Sequence, residues 1–329
     1  MSNTVGPRRR GRAVPSAAAA LICLAGTAGA VAAERIQAKQ DDADGRLTVK
    51  IDGNEAFSYF HGEKLDLPYI VPKSPAGREM TVVKTNPYPH HRSIWFADKV
   101  QLAGQRVTDF YNALYSQADK KDPNSLFRSR IRHVKFARME TQADRALVEA
   151  RLVWEMDGKT GVLDEDRTMR ITALGGGEYL LDVTFALTAS YGDVTFVSDA
   201  VHYAWPYVRM HPEFSVQKGG RITSSEGGVD QKGTHGTSAS WMDYSNTTGG
   251  KNAGLAVLIH PADKPPRKWL TRDYGTLGPR RPDERSGKRF TITKGQGIRC
   301  RVGFLVHRGD VKAGKVAERY AEYCLPQQN

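Results

Sequence analysis

From Leu47 onward the chain keeps returning to a period of two, and this alternation restricts its fold more than any other feature. Leu47, Val49 and Ile51 alternate with polar residues, Asp52-Gly53 follows as a hairpin turn, and Ala56 to Phe60 reads as the return strand. Further runs of strand character are 69–71, 80–84, 93–97, 131–140, 146–156, 167–173, 179–189, 194–197, 239–244, 254–260, 289–293 and 298–307. Turn markers such as Asp157-Gly158, Gly175-Gly176-Gly177 and Gly249-Gly250 stand between them. Many short strands joined by Gly-rich turns predict an all-β protein, a large antiparallel β-sandwich. Only 311–325 has helical spacing, with Val316, Tyr320, Ala321 and Cys324 on one face and Asp310 placed to cap, so one short C-terminal helix is expected. No Pro/Ser-rich linker and no repeat of fixed period divides the rest, and 46–329 reads as a single domain.

The first residues read differently. A basic start at Arg8 to Arg12, an apolar run from Ala17 to Ala32 and a small-residue exit at Ala30-Val31-Ala32 have the anatomy of an export signal over 1–32. Gly11-Arg12-Ala13 lacks the hydrophobic pair of a twin-arginine signal, so general secretion is expected, with a mature start near Ala33 and a periplasmic or secreted location. The polar, acidic stretch 33–45 is expected to be a flexible N-terminus. No later stretch reaches the roughly 18 apolar residues of a membrane span, so no integral membrane segment is expected once the signal is removed. Cys300 and Cys324 then remain, either as one disulfide tying the last strand to the C-terminal helix or as two buried thiols. The formal net charge of +12 falls to +8 without Arg8, Arg9, Arg10 and Arg12. No recognition motif accompanies that charge, so it reads as a solvated basic surface and not as a nucleic-acid site.

The stretch most loaded with chemistry is Asn86-Pro87-Tyr88-Pro89-His90-His91-Arg92-Ser93-Ile94-Trp95-Phe96. Its two prolines stiffen the backbone that delivers the imidazoles. Imidazole titrates near neutral pH, so His90 and His91, joined by His202 or by His211 of the long tract 204–238, can divide acid and base roles at a sugar oxygen. On an extended backbone the two neighbours point to opposite faces, so one is expected to act and the other to brace. The planar fork of Arg92 suits a carboxylate or a hydroxyl pair. A second set mixes aromatic and charged groups: Trp205, Trp241, Asp243, Tyr244, Trp269, Arg272, Asp273 and Tyr274, a mixture suited to sugar rings. Any one of these aromatics can equally fill a sandwich core. Glu226, Asp230, Asp243 and Asp273 are candidates for a glycosidase pair, whose separation a sequence does not disclose. Two histidines with Glu226 or Asp243 would make a competent metal site. Yet the chain has no His-x-x-x-His, no Cys-x-x-Cys and no Asp-rich calcium loop, so neither a metal nor a cofactor is expected.

Pro87 to Phe96, followed by Asp109-Phe110-Tyr111, resembles the His-His-Arg signature of the bacterial PmoA-like proteins, a family named after a methane oxygenase subunit. The resemblance continues through Trp241 to Ser245, His260-Pro261 and Trp269 to Gly275. It implies a fold related to the supersandwich of galactose mutarotases and a setting near carbohydrate use. Together these readings predict a secreted carbohydrate-active protein using His-assisted acid–base chemistry, with hydrolysis, elimination and epimerisation all open. His90, His91 and His202 would carry protons, Arg92 and Arg272 would clamp substrate, Asp243 and Asp273 would orient it, and Trp205, Trp269 and Tyr274 would stack on it. The alternative is a non-catalytic glycan-binding or envelope protein using the same cleft. A methane oxygenase subunit is the weaker alternative. The expected partner is a carbohydrate or other small molecule, with no nucleic acid.

Overall fold

The computed structural model describes residues 1–4, 6, 35–115, 128–158, 160–197, 204–282 and 285–326. The export-signal reading over 1–32 and the proposed catalytic His202 therefore lie outside the described residues, save for 1–4 and 6. Among the described residues the strands form three antiparallel sheets, all within the compact unit Ala33–Asn329. The nine-stranded sheet runs in the order Ile36–Asp41, Arg46–Ile51, Asn54–Phe60, Tyr69–Pro72, Ile94–Trp95, Tyr207–Arg209, Thr276–Pro279, Arg267–Arg272, Ser238–Ala239. The eight-stranded sheet runs Arg221–Ser224, Trp241–Thr248, Lys251–Ile259, Gly297–Arg308, Glu178–Thr188, Thr160–Gly175, Arg145–Met156, Ser129–Thr141. Phe290–Ile292, Val194–Phe196, Lys99–Leu102 and Val107–Asp109 make a four-stranded sheet. The all-β sandwich expected from the alternation is thus what forms.

The two large sheets share one core. Leu47, Val49, Ile51 and Phe57 from the first meet Val148, Leu152, Leu181, Val183 and Phe304 from the second, all essentially without exposure. Each large apolar side chain buried this way contributes about 1.5–3 kcal/mol. Alternation assigns the faces. Tyr59 carries the guanidinium of Arg167, from the eight-stranded sheet, 5.8 Å from its ring centre, so Tyr59 faces inward. Ile70 lies opposite Tyr59, Ile94 opposite Ile70, Val208 opposite Ile94 and Leu277 opposite Val208, and this row is therefore inward too. Trp95, Tyr207 and Arg209 then project from the outer face. On the eight-stranded sheet, Ala256, Leu258 and Leu305 form a separate outer cluster with Val316 and Tyr323 of the C-terminal helix Val316–Tyr323.

Several expectations need correction. The stretch 33–45 contains the strand Ile36–Asp41, fully paired with Arg46–Ile51. Residues 80–84 make only a single bridge, Thr81 to Met210. Asp310 does not cap the helix itself: its Oδ1 accepts the N–H groups of Lys312 and Ala313 in the preceding turn, and Lys315 holds the N-cap position. Of the two states left open for the cysteines the free thiol is the one found, with Cys300 buried on its strand and donating to the carbonyl of Trp205, and Cys324 half-buried. The long tract 204–238 is not irregular throughout, since it supplies the strands Tyr207–Arg209 and Arg221–Ser224. Among the described residues no helix is long and apolar enough to cross a membrane.

Candidate functional site

The Pro-framed segment forms a tight turn on the outer face of the nine-stranded sheet. The N–H of His91 donates to the carbonyl of Tyr88 at 3.1 Å, and the N–H of Lys84 to the carbonyl of His91 at 2.9 Å. This turn defeats the alternation that an extended segment would have imposed, and both imidazoles join one cluster with ring centres 4.6 Å apart. Beneath them Trp95 stacks on Tyr207 at 4.8 Å and lies 5.5 Å from His91. Tyr111 follows the strand Val107–Asp109, and Tyr115 ends a single 3-10 turn, Ala113–Tyr115. Asp109 fixes that connection by accepting the backbone N–H of Asn112 at 3.0 Å and its side-chain amide at 2.9 Å.

A chain of polar contacts links these groups. Tyr115 Oη lies 3.2 Å from His90 Nδ1, His90 Nε2 lies 3.3 Å from Tyr111 Oη, and the same hydroxyl lies 3.4 Å from His91 Nε2. Tyr115 is exposed, whereas His91 is 3% exposed, so the chain runs from solvent inward. A phenol with one proton and two lone pairs can donate to one imidazole while accepting from the other. Burial holds the His91 imidazole down to about 3, helped by the positive charge of His90, Arg209 and Arg92 around it. Burial also lowers His90, with Arg92 adding to the effect. Burial pushes the Tyr111 phenol up, so it keeps its proton. Among the described residues His91 Nδ1 and Trp95 Nε1 are buried without a hydrogen-bond partner.

A second column leads away from His91. Tyr88 stacks on His91 at 4.8 Å, Tyr274 on Tyr88 at 5.5 Å, and the Arg209 guanidinium sits 4.7 Å over the Tyr274 ring. Tyr274 reaches this place because Gly275, at φ +107°, turns the chain between Arg267–Arg272 and Thr276–Pro279. That turn is pinned to the Arg209 strand by the Met210 N–H donating to the Gly275 carbonyl at 2.7 Å.

His90, His91 and Tyr274 are therefore brought together, and the other expected site residues among the described ones are not. Arg92 is 1% exposed and cannot clamp a substrate: Asp66 accepts from its Nη2 at 2.8 and 2.9 Å, while its Nη1 donates to the Pro89 carbonyl at 2.7 Å. It braces the turn from below. Trp205 is a core residue donating to Asp98 at 2.7 Å, and Trp269 a core residue donating to the Ala239 carbonyl at 2.9 Å, so neither ring has a face for a sugar. Asp243 is fully buried against His307 Nε2 at 2.8 Å, and the His307 imidazole is raised, its burial outweighed by that carboxylate. Asp273 Oδ1 accepts the N–H of Gln231 at 2.8 Å and serves the short helix Asp230–Thr234. Arg272 donates to the carbonyl of its own neighbour Thr271 at 3.1 Å. His211 accepts the N–H of Glu213 as a cap, and Glu226 accepts from Ser225. Among the described residues no three His, Cys, Asp or Glu side chains gather as a metal site.

Tyr88, Tyr111, Tyr115 and Arg209 also stand in the cluster. Tyr88 lies inside the loaded motif, Tyr111 inside the Asp109-Phe110-Tyr111 run and Arg209 in the tract 204–238, so proximity to motifs was their signal. Nothing in the chain marks Tyr115.

No curated protein matches the chain at a significant level. Solved structures align with it at low identity. The GH36 α-galactosidase AgaB of Geobacillus stearothermophilus covers 84% of this chain and 42% of its own, at 7% identity and a TM-score of 0.45. The GH36 α-galactosidase AgaA of the same organism, solved with raffinose, covers 79% and 40%, at 10% identity and a TM-score of 0.41. Galactose 1-epimerase of Lactobacillus acidophilus NCFM covers 82% and 97%, at 9% identity and a TM-score of 0.37. The chain thus spans about two-fifths of the galactosidases' length, and these TM-scores are too low to decide fold or activity. The PmoA-like resemblance of the His-His-Arg motif is not confirmed. What matches is a family over residues 46–321, and by that match the chain belongs to DUF6807, a family of unknown function.

Proposed function

We propose that the outer-face cluster around His90 and His91 binds a sugar and moves a proton at one of its oxygens, in a protein exported from the cytoplasm. The observation that carries this reading is the hydroxyl of Tyr111, set between the two imidazoles at 3.3 and 3.4 Å, with His90 in turn 3.2 Å from the exposed Tyr115. Such a chain returns a proton to solvent after it has been taken from a substrate. His90 is the group that accepts or gives it, because it is only half buried. His91, held neutral, orients a hydroxyl through its unpartnered Nδ1. The carboxylates suggested for a glycosidase pair are each held by a partner of their own, so a proton transfer suits the cluster better than a two-carboxylate displacement.

The test is turnover of a panel of neutral and oxidised sugars by the purified protein, with product detection. General acid–base groups contribute 10²–10⁴-fold, so His90→Gln should lower kcat by about 100-fold or more while leaving KM nearly unchanged. Tyr111→Phe should lower kcat as well, by removing the bridging hydroxyl. Sugar binding without any product would favour the second reading, a glycan-binding protein. The depressed pKa of His91 supports that reading, because a permanently neutral imidazole hydrogen-bonds better than it transfers protons.

A further inference from the structure

Arg209 is 5% exposed, and its charge is unanswered. Its Nη1 donates to the carbonyl of Tyr274, its Nε is buried without a partner, and among the described residues no carboxylate pairs with it. Three other buried arginines each have a carboxylate, and Arg267 spends its Nε and Nη2 on the Arg280 carbonyl. Arg92 has Asp66 at 2.8 Å, Arg130 has Glu63 at 2.8 Å and Arg167 has Glu165 at 2.7 Å. The groups that face Arg209 are the phenols of Tyr88, Tyr244 and Tyr274 and the imidazole of His91, none of which supplies a negative charge. A guanidinium taken out of water without a counter-charge is costly, and its Nε and Nη2 fit a planar anion in two-point fashion.

We propose that the ligand of the outer-face cluster is an acidic sugar, whose carboxylate takes the empty counter-ion position on Arg209 while its ring oxygens meet His90 and His91. The inference rests on the sugar reading above and narrows it to a substrate class. The column Arg209, Tyr274, Tyr88, His91 supports it, since contacts of 4.7, 5.5 and 4.8 Å run without a break from the charge-binding end to the imidazoles.

The experiment is calorimetric titration of the purified protein with glucuronate and galacturonate, with their methyl esters as neutral partners, and with glucose 6-phosphate. The acids should bind at least about tenfold more tightly than their esters, the difference expected of one charge-assisted two-point contact. Arg209→Gln should erase that preference, and Arg209→Lys, which keeps the charge but loses the fork, should retain only part of it. If Arg209→Gln does not fold, the Lys variant carries the comparison. Esters binding as tightly as acids, or a preference that survives Arg209→Gln, overturns the carboxylate assignment and leaves the sugar reading standing. Preference for the sugar phosphate over both uronates likewise overturns it. Binding of none of these sugars overturns both.

Discussion

Arg92 and Arg209 show how one residue type takes opposite parts within one cluster. Both leave short, buried strands or turns of the nine-stranded sheet, but Asp66 pairs with Arg92, and among the described residues no carboxylate pairs with Arg209. Removing one member of a buried pair strands the other, so Arg92→Met should lower unfolding free energy by about 3–5 kcal/mol in urea denaturation. Pairing it with Asp66→Leu should recover most of that loss, because no uncompensated charge remains. Equal losses in the single and double variants would mean that the turn depends on the pair itself. The residue types at 90–92 announced chemistry in the sequence, and only the position of Asp66, 26 residues away, assigned Arg92 to bracing.

The corner that carries Tyr274 is a single turn, and Gly275 makes it possible. At φ +107° an L side chain is strained, and a Cβ there would also lie 3.1 Å from the Met210 carbonyl oxygen. Gly275→Ala should therefore cost about 1–3 kcal/mol and, by displacing Tyr274, weaken ligand binding at the cluster. Gly53→Ala, in the hairpin between Arg46–Ile51 and Asn54–Phe60, meets a similar φ of +80° with nothing within 4 Å. It should lower the melting temperature and leave binding untouched; equal effects of both variants on binding would contradict the role given to the Tyr274 corner. The hairpin was plain from Asp52-Gly53 between alternating runs. Thr276–Pro279 was not, because its four residues are all buried and so show no alternation.

Across the molecule, buried imidazoles set how stability responds to acid. His91 and His133 are both held down to about 3, mainly by burial, His133 beside His61 with ring centres 4.3 Å apart. Because these values lie below the ordinary 6.5, the unfolded chain binds more protons between pH 3 and 6.5. Their stabilisation is full above about 6.5 and drains as pH falls toward 3. His307 has the opposite sign: its raised value adds stability below 6.5, and that part is lost as pH climbs through the raised value. His61 and His90 are lowered by burial as well, so the depressed imidazoles outweigh His307, and denaturation should show a loss on the order of a few kcal/mol from pH 7 to 4. His133→Gln should flatten that slope, and an unchanged slope would rule out this source.

Period-two alternation and Gly-rich turns determined, in the sequence alone, that the chain is an antiparallel sandwich with one C-terminal helix, because face-by-face burial writes itself into neighbouring residues. The same local logic marked the His90-His91 turn as a place for chemistry. Contacts between distant segments decided the rest. Trp205, Trp269 and Asp243 look like site residues by type and prove to be core, since burial depends on which strand covers them. Tyr111, Tyr115 and Arg209 became site residues only when the chain folded, because a hydroxyl between two imidazoles and a guanidinium without a counter-charge are relations between segments, and no single stretch of sequence contains them.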